Sequence, residues 1–294
     1  MAIIIDGKKI ASDIIDEIKT EVSELIANNK KRPKLALLLV GEDPASQIYV
    51  RNKEKRCNET GIDSIVLKKN ESISELEVLN IINQWNADET IDGILVQLPL
   101  PKHINESKIL NNISPQKDVD GFHPENVGRL VTGVPSFVPC TPLGIYELLK
   151  RYEINLKGKH CVVLGRSNIV GKPIANLLYQ KTPNANAIVT ICHTAAPDLS
   201  YYTKQADILI AAVGVPELIK AKDLKDNVVV IDVGINRIED TNTEKGYRIV
   251  GDVAFNEVIH KASAITPVPG GVGPMTISML LLNTLRSAKK EIYK

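Results

Sequence analysis

Tyr49 and Lys53 stand four residues apart in the run SQIYVRNKEKRC, and Ser46 shares their helical face at i, i+3 and i+7. A tyrosine and a lysine so placed can act on one substrate, although Arg51, Glu54, Lys55 and Arg56 make the stretch charge-rich. On spacing alone a solvated ion-pair face is the favoured reading. In GILVQLPLP (93–101) one polar residue, Gln97, interrupts an apolar strand ahead of two prolines. An amide at the carboxyl end of a parallel strand faces a ligand crevice, or else it satisfies loop backbone. KDVDGFHP supplies Asp118 and Asp120, one suited to a buried acceptor and the other to a turn cap. TPVPGGVGPMT (266–276) packs three prolines and three glycines into eleven residues before a helix. Such a loop is stiff yet permits close backbone approach, which favours a ligand wall over a plain helix entry.

A second chemistry is readable in KGKHCVVLGRSNIVGKPIANLL (157–178), a strand entering a glycine turn and then a helix. Backbone N–H groups at such a helix start hold a pyrophosphate. The glycines, Gly165 and Gly171, are spaced G-x-x-x-x-x-G instead of G-x-G-x-x-G, so the motif alone stands equally for an ordinary βα turn. The following strand ends Cys192-His193-Thr194, with no carboxylate for a ribose 2′-hydroxyl. Arg166 lies directly after Gly165, where a guanidinium can pair with a 2′-phosphate, which favours NADP over NAD. Ala212-Val213-Gly214 and Asp232-Val233-Gly234-Ile235 end later strands in glycine, as backbone approaching a flat cofactor requires.

These groups need elements to hold them. Apolar, β-branched runs at 35–40, 64–67, 93–98, 160–164, 188–192, 208–213, 228–233 and 263–266 read as strands. Amphipathic segments at 10–27, 45–59, 73–85, 143–150 and 171–178 read as helices between them. Strand and helix in alternation mean parallel sheet covered by helices, so the fold class is α/β. Length points to two domains, since 294 residues exceed one average domain of about 150. GRLVTGVPSFVPCTP (128–142), with three prolines and two glycines, marks the boundary between domains 1–142 and 143–274. A final helix from Met275 to about Tyr293 could pack on either.

Lys plus Arg number 36 against 35 Asp plus Glu, so no field favours nucleic acid or an anionic membrane, and small molecules are the expected partners. The longest apolar runs, such as 35–40, fall far short of the roughly 20 residues that a bilayer demands. MAIIIDGKKIASD has no basic n-region, long apolar stretch or small-residue cleavage site, and the expected location is the cytoplasm. Cys57, Cys140, Cys161 and Cys192 are scattered and read as free thiols. Neither they nor the five histidines have metal-ligand spacing, so no metal is expected.

Taken together, the runs YVRNKEKRC, DGILVQLPLP, KDVDGFHPENVGRL, PCTPLG, GRSNIVGKP, VIDVGIN, VGDV and TPVPGGVGPMT resemble, in order and over nearly the whole chain, the bifunctional methylenetetrahydrofolate dehydrogenase/methenyltetrahydrofolate cyclohydrolase (FolD) family. The resemblance implies an N-terminal α/β folate-binding catalytic domain and a Rossmann-like NADP-binding domain, with the C-terminal helix (275–294) returning to the first. It implies NADP-dependent oxidation of 5,10-methylenetetrahydrofolate and hydrolysis of the methenyl product to 10-formyltetrahydrofolate at one cleft between the domains, in a homodimer paired through its nucleotide domains. Lys53 would be the central catalytic residue, Tyr49 would stack on or position the folate, Gln97 would tune Lys53 and Asp120 would anchor the pterin. Val96, Leu98, Pro269, Gly270, Gly271, Val272, Gly273, Pro274, Met275, Thr276 and Ile277 would line the folate site. Gly165, Arg166, Ser167, Thr194 and Ile235 would contact NADP. Thr194 stands where many relatives have Ser, which keeps the hydroxyl and adds a methyl.

A monofunctional folate dehydrogenase is the enzyme alternative, and the presence of Tyr49, Lys53, Gln97 and Asp120 argues against it. A non-catalytic nucleotide-binding module would lack Lys53 or an intact PGGVGP loop, and both are present. Short-chain dehydrogenases share Y-x-x-x-K but place their glycine loop before it, the reverse of the order here. Malate-type dehydrogenases share the architecture without the VQLPLP and PGGVGPMT runs.

Overall fold

The computed structural model describes residues 2–241, 243 and 246–293. In chain order the first elements are β1 (Ile3–Ile4), α1 (Gly7–Ala27), β2 (Lys34–Val40), α2 (Pro44–Thr60), β3 (Asp63–Lys69), α3 (Glu75–Ala87), β4 (Gly93–Val96), α4 (Glu106–Asn112), α5 (Pro124–Thr132) and α6 (Cys140–Arg151). There follow β5 (His160–Leu164), α7 (Gly171–Leu178), β6 (Ile188–Cys192), α8 (Leu199–Thr203), β7 (Ile208–Ala211), a 3₁₀ turn (Ala221–Asp223) and β8 (Val228–Asp232). The chain closes with β9 (Asn236–Glu239), β10 (Tyr247–Val250), α9 (Phe255–Val258), β11 (Ala262–Ile265) and α10 (Gly273–Ala288).

The chain divides into two compact units, one of Met1–Ala11 with Thr141–Thr276 and the other of Ser12–Cys140 with Ile277–Lys294. The second unit is built on a parallel three-stranded sheet in the order β3-β2-β4. Its central strand, KLALLLV, is apolar almost throughout because both faces are covered, and six of its seven residues are buried. On one face Ala36, Leu38 and Val40 meet Val78 and Ile82 of α3 and Ile109 of α4. Helix α2 has firm ends: the Asp43 carboxylate accepts from Ser46 N at 2.7 Å, Pro44 fills the first turn, and the chain closes beyond Thr60. Ser74 and Glu77 form a reciprocal capping box on α3.

The other unit holds a parallel six-stranded sheet, β1-β11-β8-β7-β5-β6, with β9 and β10 as a separate antiparallel ribbon. From β5 the chain passes through α7 to β6 on one side, and β7 then lies on the opposite side of β5. Strand order therefore reverses at β5, and the carboxyl ends of β5 and β7 flank the crevice in which open α/β sheets take their ligands. Strand β1 pairs with β11, so the N-terminal residues, placed by the sequence reading in domain 1–142, extend this sheet instead. Two hydrophobic residues, Ile3 and Ile4, are too short a run to announce that pairing.

Helix α10 ends at Ala288, short of the expected Tyr293. Lys290 takes φ +55°, and the N–H groups of Lys290 and Glu291 return to Ser287 O and Arg286 O, which closes the helix. The C-terminal helix belongs to the three-stranded unit, as expected. Asn283 Nδ2 donates to Val119 O and Val138 O, and Ser287 Oγ donates to Asp92 O at 2.6 Å. Beyond the helix, the Tyr293 hydroxyl donates to Asn126 Oδ1 at 2.9 Å with the Arg129 guanidinium over its ring.

Asn126 Nδ2 donates in turn to Pro115 O and to Asp118 Oδ2, and His123 N also donates to that carboxylate. Burial pushes the Asp118 carboxyl up from 3.8 to about 7, against the pull of those hydrogen bonds. The folded protein thus holds a proton that the unfolded chain has released. This stabilisation is complete below the unfolded value and is lost as pH rises through about 7. Asp118→Asn should raise the thermal unfolding midpoint relative to the parent more at about pH 8 than at about pH 5; an equal offset at both would contradict the shifted carboxyl.

Candidate active site

Helix α2 turns Ser46, Val50, Lys53, Cys57 and Thr60 into the three-stranded unit and leaves Tyr49 49% exposed, one turn from Lys53. The bland reading of that face as a solvated ion-pair surface therefore fails for Lys53, which is only 9% exposed. Its ammonium donates to Gln97 Oε1 at 3.0 Å. Gln97 is held at the end of β4, where its N–H donates to Leu38 O and its Nε2 donates to Leu98 O at 2.7 Å. With the amide nitrogen committed to that carbonyl, the oxygen faces Lys53, which can only donate.

Desolvation lowers the Lys53 pKa from its ordinary 10.5, and the nearby Asp120 carboxylate opposes the shift. Burial raises the Asp120 carboxyl above its ordinary 3.8, opposed by Lys53 and by the Cys140 thiol. Cys140 itself is pushed well above 9.0, by burial first and by Asp120 second. Amine, carboxyl and thiol thus form one buried electrostatic cluster in which desolvation drives each group toward its neutral form. A lysine so tuned gives up its proton more readily than a solvated ammonium does.

Among the expected site residues, Lys53, Gln97 and Asp120 meet in this unit. Val96 is part of the apolar core, and Leu98 is half-buried. Asp118 is the buried acceptor of the DVD pair. Cys140, the asparagines Asn126 and Asn283, and the backbone they hold were not singled out from the sequence. Cys140 lies twenty residues from Asp120 and only the fold makes them neighbours. A cavity of about 590 Å³ lined by Asp92, Lys117, Phe137, Ser287 and Tyr293 also lies in this unit, but near Asp92, which precedes β4, whereas Gln97 follows it.

In the six-stranded unit Gly165 follows β5 with φ +126°, and a Cβ there would overlap Ala212 O at the end of β7. A Cβ on Gly171 would overlap Gly165 O, so the two glycines let loop and helix close on each other at the switch point. Ser167 Oγ accepts from Val170 N at 3.1 Å and Gly171 N at 3.3 Å, and Arg166 and Thr194 are exposed. Leu164 and Cys192 are register partners, so the segments carrying Arg166 and Thr194 leave adjacent strand ends. Ile235 follows β8 and is 58% exposed. In the glycine–proline loop, Val272 and Met275 are buried, Pro269 and Gly273 are exposed, and Lys8 N donates to Gly270 O. Thr276 Oγ1 shares a hydrogen bond of 3.2 Å with Thr141 Oγ1. Gly270 and Gly271 are covered, whereas Pro274 and Ile277 are half-buried. The glycine turn, the exposed Arg166 and the strand reversal fit a dinucleotide. Among the described residues no three His, Cys, Asp or Glu side chains form a group able to hold a metal ion.

Two family models match the chain. The tetrahydrofolate dehydrogenase/cyclohydrolase catalytic domain matches residues 5–120, and the NAD(P)-binding domain of the same family matches residues 139–292. The "Bifunctional protein FolD" of Chloroherpeton thalassium is 59% identical over 287 residues, covering 97% of this chain and 98% of that one. Bifunctional FolD from Campylobacter jejuni has a crystal structure that superposes with a TM-score of 0.93 at 51% identity, covering 99% of this chain and all of that one. The dehydrogenase-cyclohydrolase of Trypanosoma brucei, crystallised with NADP and an inhibitor, superposes with a TM-score of 0.92 at 38% identity, covering 100% of this chain and 99% of that one. With both domains matched and relatives above half identity over nearly its full length, this chain belongs to the tetrahydrofolate dehydrogenase/cyclohydrolase (FolD) family.

Proposed function

We propose that the protein oxidises 5,10-methylenetetrahydrofolate with NADP to the 5,10-methenyl cation and hydrolyses that cation to 10-formyltetrahydrofolate, in one-carbon metabolism. The observation that carries the second activity is the buried Lys53 ammonium facing Gln97 beside Asp120. We assign the folate and catalytic roles to the three-stranded unit and NADP to the six-stranded unit.

NADP, when bound, supplies the hydride acceptor. The Arg166 guanidinium would pair with its 2′-phosphate, and the Thr194 hydroxyl would donate beside it. The Ser167 oxygen already accepts from the first N–H groups of α7, which leaves its O–H to donate to a phosphate. Gly165 and Ile235 would offer backbone. On the folate side, Asp120 would anchor the pterin and the exposed Tyr49 ring would stack on it. Val96 and Leu98 would line the site from the three-stranded unit. The buried Val96 acts there through backbone and packing.

In the hydrolysis, a water oxygen bonds to the methenyl carbon and the bond from that carbon to N5 breaks. The formyl group stays on N10, and one proton is released overall. Lys53 in its neutral form accepts the proton of the attacking water, and Gln97 holds the amine in place for it.

A second copy of the chain is the expected partner. Strand β6 is the sheet's terminal strand and leaves Ile188 63% and Ile191 44% exposed, an uncovered edge suited to pairing. Near-neutral charge gives no basis for nucleic acid binding, and among the described residues no helix is long and apolar enough to cross a membrane. Four free, buried cysteines suit a reducing compartment such as the cytoplasm.

Lys53→Met should lower hydrolysis of added 5,10-methenyltetrahydrofolate by at least about 10²-fold while calorimetry still registers NADP binding. Lys53→Arg should be as inactive, because a guanidinium keeps the charge but cannot give up its proton. Undiminished hydrolysis in the Met variant would overturn the assignment, and an active Arg variant would replace a base with a fixed positive charge. For the partner, sedimentation should find a dimer that Ile191→Lys converts to single chains; a monomeric parent protein would refute the β6 interface.

A further inference from the structure

Two carboxylates of the six-stranded unit, Asp232 and Asp252, are 3% and 0% exposed, and neither has a basic side chain among its hydrogen-bond partners in the described residues. Asp252 Oδ2 accepts from Val213 N at 2.7 Å and Gly214 N at 3.0 Å, and its Oδ1 accepts from Asn236 Nδ2 at 2.9 Å. Asp232 accepts from Gly234 N at 3.0 Å, from Asp252 N at 2.9 Å and from Val253 N at 3.0 Å. Five backbone N–H groups and one side-chain amide from three separate segments thus converge on one pair of acids. Space for the pair is made by glycine. A Cβ on Gly234 would overlap Asp252 Oδ1, and one on Gly251 would overlap Asp232 Oδ2.

The segments so tied are the turns that leave β7 and β8, together with residues 251–253, whose Val253 bridges to Ile219. Their outward sides are open: Val215 is 38% and Ile235 is 58% exposed, and a Cβ on Gly214 would meet nothing within 4 Å. Ile235 is bracketed, because Gly234 N is held by Asp232 and the Asn236 side chain by Asp252. A dinucleotide spans the crevice where strand order reverses. With its 2′-phosphate at Arg166 beyond β5, its other half must extend toward β7 and β8.

We infer that Asp252, seated on Asp232, is a positioning residue that fixes the β7 and β8 turns as the backbone platform for the nicotinamide half of NADP. The two buried carboxyl groups together gather six donors, and each bond ties one of the three segments to the others, so the turns are held as one piece. Neither acid touches the cofactor. The inference rests on NADP binding to this unit, which calorimetry of the parent protein tests separately.

The variant Asp252→Asn sets an amide donor against donors already present, and Asn236→Ser removes only one outer hydrogen bond. Calorimetry with NADP and with adenosine 2′,5′-bisphosphate, which carries the adenosine half alone, is read beside hydrolysis of added 5,10-methenyltetrahydrofolate. Asp252→Asn should lose about tenfold or more in NADP affinity and in dehydrogenase kcat/KM. Its affinity for the bisphosphate and its hydrolase rate should stay within about twofold of the parent. Asn236→Ser should show the same separation at smaller size, and it decides the matter if Asp252→Asn does not fold. NADP affinity unchanged in both variants, or bisphosphate affinity and hydrolysis falling in parallel with it, would overturn the inference.

Discussion

A lysine ammonium held away from water, with an amide oxygen as its hydrogen-bond partner, is the constraint around which the three-stranded unit is organised. Lysine is almost never fully buried unless paired, because removing its charge from water is costly. Here the direct partner is the neutral Gln97, and the nearest acid, Asp120, is itself disfavoured as an anion by burial. A carboxylate in place of Gln97 would lock the amine in its charged form. An apolar residue there would leave it without a partner. The amide satisfies the ammonium while allowing it to lose its proton, which is the condition for proton transfer at neutral pH.

That arrangement survives only because its surroundings are over-determined. The Asp43 cap and the following proline start α2 at a defined residue, and this sets which face carries Lys53. Backbone pairing of Gln97 with Leu38 places the amide at the end of a strand whose neighbours are buried on both faces. The loop bearing Asp120 is held through Val119 O, which accepts from Asn283 of the C-terminal helix, and through the Asp118–Asn126 pair beneath it. The return of α10 to this unit is therefore part of the site's support. In the six-stranded unit, buried carboxylates again gather backbone N–H groups, and they do so where parallel strands have ended and the ladder no longer supplies acceptors.

Much of this was legible in the residues. Every strand of the two parallel sheets except β1 was readable, the central strands because cover on both faces makes them apolar along their length, and the edge strands β3 and β6 from a β-branched run alone. The strand β1, the β9–β10 ribbon and the short helices α4, α5, α8 and α9 were not, since two to nine residues carry too little period to separate from loop. Lys53 is the instructive case. Its neighbours Arg51, Glu54, Lys55 and Arg56 give the helix a solvated look, and only the sheet packed against its other face shows that Lys53 is turned inward. The resemblance carried by the long motifs pointed to Lys53, whereas its spacing pointed away. Cys140, Asn126, Asn283 and Asp252 act across separations of up to 164 residues, which no local pattern encodes.

The proposed hydrolysis depends on a Lys53 ammonium that releases its proton more readily than an ordinary lysine does. Its ionisation can be read directly by NMR titration of protein carrying isotope-labelled lysine side chains, with the Lys53 signal identified by its absence from the Lys53→Met protein. A desolvated Lys53 titrates with a midpoint below the ordinary 10.5. A midpoint at or above 10.5 would mean that Asp120 dominates desolvation, and Lys53 would then serve as a fixed charge with no proton to exchange.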